Sequence, residues 1–194
     1  MITKIKAGSV SSLSDARYFA GVGVDWLGFN VDASSDSYVN PELYKNIIGW
    51  VSGPKRVIEL HGNVSKGIIE DVIIEYVPDF LETELEQIEK LPDEFPCFAR
   101  ANLASLNFNL LEEYSTRLKY LLLKGDDNIF ENVGLIKQIS DRVKILLSIP
   151  PESLSVRKAL IELPISGLAL LGSVEQKAGL KVYDYSDLLE SLEE

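Results

Sequence analysis

The sequence predicts a single-domain α/β fold, a (β/α)8 TIM barrel with short loops spanning residues 1–194. Three observations point to it. Short β-rich runs recur at intervals of roughly two dozen residues. The stretches between several of them carry the apolar spacing of amphipathic helices. No linker, low-complexity segment or close internal repeat divides the chain. Strand followed by helix, repeated, is the pattern of a parallel α/β sheet, and eight such units suggest a closed barrel. The alternative is an open doubly wound sheet. It usually has fewer strands and opens on a G-x-G-x-x-G turn, whereas the first turn here is Gly8-Ser9-Val10-Ser11-Ser12.

The elements follow in order. Strands are expected at 3–7, 26–31, 56–61, 79–82, 97–101, 120–123, 143–147 and 167–171. Helices are expected at 13–22, 41–51, 65–76, 109–117, 133–139 and 153–163. Ser12 with Asp15 three residues on forms a loose capping box for the first helix. Asn40-Pro41-Glu42 gives the second an N-cap followed by proline at its first position. Ser52-Gly53-Pro54, Pro92-Asp93 and Pro150-Pro151 read as loops, and Gly125 as a turn after the sixth strand. The segment 183–194 reads as a last helix with an acidic face, which closes the barrel or docks a partner.

Composition removes several functions. The chain carries 30 acidic and 19 basic residues, a net charge of −11. With its bases scattered, it lacks the electrostatic footprint of a nucleic-acid binder. No apolar run approaches the roughly 18–20 residues of a membrane span, and MITKIKAGSV has no signal-peptide core. One cysteine, Cys97, and one histidine, His61, cannot build an intramolecular disulfide or a Cys/His zinc site. The expectation is a cytoplasmic protein with no metal, no cofactor, no nucleic-acid partner and no membrane partner. Asp126-Asp127-Asn128 is an acidic loop that either offers oxygens to a hard cation or is an ordinary turn.

The site of a barrel lies at the C-terminal ends of its strands. Alternation puts Ile5, Ala7, Ile58 and Leu60 against the helices, so Lys4, Lys6, Gly8, Glu59 and His61 face inward. Glu82, Arg100, Asn102 and Lys124 join them. The expected pocket is therefore a ring of Lys6, Glu59, His61, Glu82, Arg100 and Lys124. Buried charges must be paired or wet, so the ring is either a polar ligand pocket or a set of internal salt bridges. Lys124, at the end of an apolar run, is either a desolvated nucleophile or a charged partner of Glu59, Glu82 or Asp126. Glu59 and Glu82 are either an acid/base pair or the counter-ions of Lys6 and Lys124. His61 is either a proton shuttle or a structural hydrogen-bonder. Cys97 reads as inert core.

The stretch from Lys6 to Ala16, KAGSVSSLSDA, resembles the K-I-C-G-I-T-x-x-x-D-A opening of the phosphoribosylanthranilate isomerases. The likeness continues from Ala20 through Phe29 (A-G-A-D-A-L-G-F in that family) and in Ser35-Asp36-Ser37-Tyr38-Val39-Asn40-Pro41-Glu42 (S-P-R-Y-V-S-P-E). Pro151-Glu152, Val174-Glu175 and Gly179-Leu180-Lys181 are similar to its last two loops. Glu59-Leu60-His61-Gly62 resembles the family's fourth-strand Q-L-H-G but falls on the third strand, so that similarity is accidental. The resemblance implies an eight-stranded barrel and an Amadori rearrangement of a phosphorylated amino sugar. It also implies a cysteine base after strand one and an aspartate acid after strand six. This chain departs at each working position. Gly8 stands for the cysteine, Lys124 for the aspartate, Ser37 for the loop arginine, and Leu147-Ser148 for the phosphate-binding glycine pair. A proton carrier must hold and release a proton, which glycine cannot do. Ser148, Gly172 and Ser173 remain as an anion-binding loop. The expected function is a diverged barrel of this kind without the parent activity, binding a small polar molecule or a protein partner. The alternatives are an enzyme of changed chemistry around Lys124, and an active isomerase of tryptophan biosynthesis.

Overall fold

In the computed structural model, eight parallel strands close into a barrel in chain order, each hydrogen-bonded to the next and the eighth to the first. The structure describes residues 3–125, 128–148, 156–172 and 185. The strands are β1 (Lys4–Gly8), β2 (Trp26–Asn30), β3 (Lys55–Glu59), β4 (Phe80–Glu84), β5 (Cys97–Asn102), β6 (Leu118–Lys124), β7 (Ile145–Ser148) and β8 (Gly167–Leu171). The helices are α1 (Leu13–Gly21), α2 (Pro41–Ile48), α3 (Lys66–Tyr76), α4 (Phe108–Tyr114), α5 (Val133–Ser140) and α6 (Val156–Glu162).

The caps read from sequence are formed. Ser12 Oγ accepts from the Asp15 amide at 3.1 Å, and Asn40 Oδ1 from the Leu43 amide at 2.8 Å with Pro41 opening α2. Helix α3 starts under a Ser65 cap and ends on Val77 in the left-handed conformation, φ 45°. The strand–helix alternation fails once among the described residues. The connection from β4 to β5 carries a 3₁₀ helix, Leu85–Lys90, in place of an α-helix. Pro92 and Pro96 follow it, and a helix could not run through them. Strand β3 ends at Glu59, so Leu60 and His61 belong to the loop beyond it. Of the 183–194 helix expected from sequence, only Tyr185 lies within the described residues, and its hydroxyl donates to the Leu171 carbonyl at 3.0 Å.

The core has two parts. The larger lies between strands and helices and includes Ile5, Ala7, Phe29, Ile58, Leu60, Leu81 and Leu147. The smaller fills the barrel itself: Trp26, Val57, Phe98, Tyr120, Leu122, Leu146 and Ala169, with Phe80 against them. Its aromatic rings form a plug. Trp26 meets Phe98 and Tyr120 edge-on at 5.4 and 5.0 Å, and Phe98 stacks on Tyr120 at 5.6 Å. Edge and offset contacts of this kind add to simple area burial. The plug closes the barrel from the side of the strand starts. Among the described residues, the space left within the barrel lies at the C-terminal ends, where the charged layer begins.

Candidate functional site

The alternation of apolar and charged residues on β1, β3 and β4 brings Lys6, Glu59 and Glu82 to the barrel axis, each about 2% exposed. Lys6 Nζ lies 2.5 Å from Glu59 Oε1 and 2.8 Å from Glu82 Oε2. Arg100 continues the chain. Its Nη1 meets Glu82 Oε1 at 2.8 Å, its Nε meets Glu84 Oε1 at 3.1 Å, and its Nη2 donates to the Leu60 carbonyl at 2.6 Å. The result is an alternating line of charge, Glu59–Lys6–Glu82–Arg100–Glu84, running from the buried axis to the rim. Burial alone would lower the Lys6 pKa, but the two flanking carboxylates outweigh it and hold Lys6 above its ordinary value. Burial would likewise raise Glu59, and Lys6 beside it instead holds it well below the usual carboxylate range.

Three small residues make room for this line. A Cβ on Gly28 would stand 2.0 Å from Glu59 Oε1 and 2.7 Å from Lys6 Nζ. A Cβ on Gly8 would stand 2.7 Å from Glu59 Oε1 and 2.9 Å from Lys6 Nζ. Ser9, at φ 51°, turns its amide and hydroxyl onto the same carboxylate, with N and Oγ at 3.0 and 3.1 Å from Oε2. A serine in the left-handed region costs on the order of 1–2 kcal/mol, and these two bonds to a buried anion offset it.

Above the line is a cavity of about 350 Å³ at the C-terminal ends of the strands. Asn102, Lys124 and Ser148 occupy one register row across β5, β6 and β7 and line it. Lys124 is exposed and makes no ion pair with Glu59 or Glu82, so its expected role as their partner is not met. The third partner considered, Asp126, lies with Asp127 outside the described residues. Glu59 and Glu82 are both bound to Lys6 rather than facing each other as an acid/base pair. His61 also lines the cavity, 34% exposed in its side chain, with Nε2 at 4.0 Å from Glu59 Oε2. Lys4, read as inward-facing, stands at the opposite end of β1 in an ion pair with Asp25 at 2.5 Å and takes no part in the cavity. Gly172 N–H donates to Gly8 O at 2.5 Å, so this amide of the expected anion loop is already used. Ser173, the last residue of that loop, lies outside the described residues.

Ser9, Glu84 and Gly28 at the site were not picked out from the sequence. Glu84 is one alternation step beyond Glu82, and the expected end of the strand at 82 hid it. Gly28 carries no chemistry of its own and matters only through the side chain reaching over it from β3. Cys97 is fully buried, and burial pushes its thiol up to about 11, which leaves it inert at neutral pH. Among the described residues, no group of three or more His, Cys, Asp or Glu side chains could hold a metal ion. Nor is any helix among them long and apolar enough to cross a membrane.

The barrel superposes on phosphoribosylanthranilate isomerases along almost its whole length. The enzyme from Thermotoga maritima matches with a TM-score of 0.73 and 20% identity over 99% of this chain and 98% of the other. This chain shares the isomerase fold. The Thermus thermophilus isomerase matches at a TM-score of 0.72 and 19% identity over 97% and 96%. A phosphoribosylanthranilate isomerase in complex with reduced 1-(o-carboxyphenylamino)-1-deoxyribulose 5-phosphate matches at 0.72 and 21% over 97% and 95%. No family model matches the sequence, and no curated protein does. Beyond the short motifs quoted above, the likeness to the isomerase rests on three-dimensional structure.

Proposed function

We propose that this chain is a diverged phosphoribosylanthranilate isomerase-like barrel that binds a small polar molecule at its mouth and does not catalyse the parent rearrangement. One observation carries the reading. The Lys6–Glu59 head groups stand within 2.9 Å of where a side chain on Gly8 would begin. The resemblance assigns a cysteine base to that position. Here it has no side chain, and a structural ion pair fills the space. Lys124 at the aspartate position offers a cation where an acid is required. Lys6 is bound by two carboxylates and held charged, so it is no candidate nucleophile. The protein is expected to act in the cytoplasm.

Turnover of phosphoribosylanthranilate, followed by loss of its fluorescence, tests this. The wild-type chain is expected to show no rate above the uncatalysed reaction. Turnover at an enzyme's usual rate, on the order of 1–1000 per second, would contradict the reading and make the chain an active isomerase using other residues.

A second reading, an enzyme of changed chemistry, has one supporting observation. Lys124 is exposed to the cavity and unpaired among the described residues. It predicts that borohydride traps a small aldehyde on wild-type Lys124 faster than on the other exposed lysines. Labelling no faster there than elsewhere would remove it.

A further inference from the structure

Six charged side chains line the mouth: Lys6, Glu59, Glu82, Glu84, Arg100 and Lys124. They are not equally available. Lys6, Glu59 and Glu82 are buried and bind one another, and Arg100 is mostly buried between Glu82 and Glu84. Only Glu84, 43% exposed in its side chain, and the exposed Lys124 present charge to solvent. The paired line from Glu59 to Glu84 holds three carboxylates against the two cations Lys6 and Arg100, so its rim end carries an excess negative charge. Lys124 supplies the opposite charge across the cavity. Glu84 is in register with Arg100, and Lys124 with Asn102, so the two stand on strands β4 and β6 with β5 between. Two strand spacings with a two-residue offset along β5 separate their backbones by about 12 Å. Apolar side chains, Leu122, Ala169 and Leu171, line the same cavity. Its volume, about 350 Å³, lies at the small end of ligand sites, roughly 300–1000 Å³.

We infer that the mouth takes a small dipolar molecule of the ω-amino acid class, its ammonium at Glu84 and its carboxylate at Lys124. The methylene chain lies on the apolar wall, and Asn102 and Ser148, in the Lys124 row, hydrogen-bond the carboxylate. The inference rests on the reading of the mouth as a polar-ligand site and names the ligand's class. A singly charged ligand would pair with one end only and forgo the ion pair at the other.

Amide-resolved NMR titration of the full chain at pH 8 tests it. The probes are 6-aminohexanoate, hexanoate, hexylamine and inorganic phosphate. 6-Aminohexanoate is expected to shift the Ser9, Asn102 and Ser148 amides and to bind about tenfold tighter than either singly charged analogue. Lys124→Met and Glu84→Gln, both at exposed side chains, are each expected to remove about that tenfold. Hexanoate or phosphate binding the mouth as tightly as 6-aminohexanoate, or variants that leave its affinity unchanged, would overturn the dipolar class and leave the mouth as a site. If none of the four probes shifts the mouth amides, the inference and the reading beneath it both fall.

Discussion

Lys6 sits where a barrel would ordinarily place a branched apolar residue, and its surroundings decide what replacing it does. Lys6→Met leaves Glu59 and Glu82 buried without their shared cation. Removing one partner of a buried pair costs about 3–5 kcal/mol, so a fall in stability of that size is expected in urea unfolding. Replacing all three, as Lys6→Met with Glu59→Gln and Glu82→Gln, should recover much of the loss, because no uncompensated charge remains. Gly28→Ala should also destabilise, by about 1–3 kcal/mol, since its Cβ would stand 2.0 Å from Glu59 Oε1. A stability unchanged by Gly28→Ala would mean that Glu59 does not occupy that space. The same pair sets a pH dependence. Glu59 is depressed in the fold, so its contribution is present above the unfolded carboxyl pKa of about 4.3 and is lost as pH falls through the lower folded value. Lys6 is raised, so its contribution is full below about 10.4 and is lost as pH rises through the folded value. Stability from this pair should therefore hold between about pH 5 and 10. Glu59→Gln should flatten the acid limb of the urea midpoint against pH. Residue by residue, the sequence showed that Lys6 and Glu59 point inward, because each lies between apolar neighbours, Ile5 and Ala7 or Ile58 and Leu60, that pack against the helices. It did not show who pairs with whom. That depends on the stagger between strands, which sets Glu59 opposite Glu82 yet brings Lys6 of β1 between them.

At the scale of elements, α3 ends on a β-branched residue in the left-handed region, Val77, 63% exposed. The side chain gains little packing and the backbone is strained by about 1–2 kcal/mol. Val77→Gly places at that cap the residue that helices favour there. It should raise stability by about 0.5–1 kcal/mol in thermal unfolding; an unchanged or lower midpoint would mean the cap is not strained. The seam between β1 and β8 responds in the opposite sense. A Cβ on Gly167 would stand 1.8 Å from the Lys4 carbonyl oxygen, a backbone atom that cannot turn aside. Helix starts were legible because Ser12 and Asn40 announce themselves by type and spacing. The β4–β5 crossover was not, because the repeat of strands says nothing about what form the connecting chain takes.

For the molecule as a whole, two layers divide the barrel interior. An aromatic plug seals the side where the strands start, and an ion-pair line closes the middle, so the site is confined to the mouth. The closed architecture was legible from eight regularly spaced strands; the use of the mouth is not fixed by that architecture, since one fold hosts many chemistries. The substitution of glycine for the resemblance's cysteine was visible in sequence. That the space beside it is already taken by side chains from β1 and β3 required coordinates. A consequence follows for attempts to restore catalysis: Gly8→Cys with Lys124→Asp should not gain isomerase turnover while Glu59 and Lys6 remain in place.

Lys6 is a fixed counter-ion holding the barrel axis shut rather than a reactive amine. Lysine side-chain NMR, following the Lys6 ammonium across pH, tests it most directly. The Lys6 ammonium should stay protonated beyond the ordinary lysine value of about 10.4 and shift when Glu59 is replaced by Gln. A Lys6 that loses its proton near neutrality would instead be an amine poised for chemistry and not a fixed counter-ion.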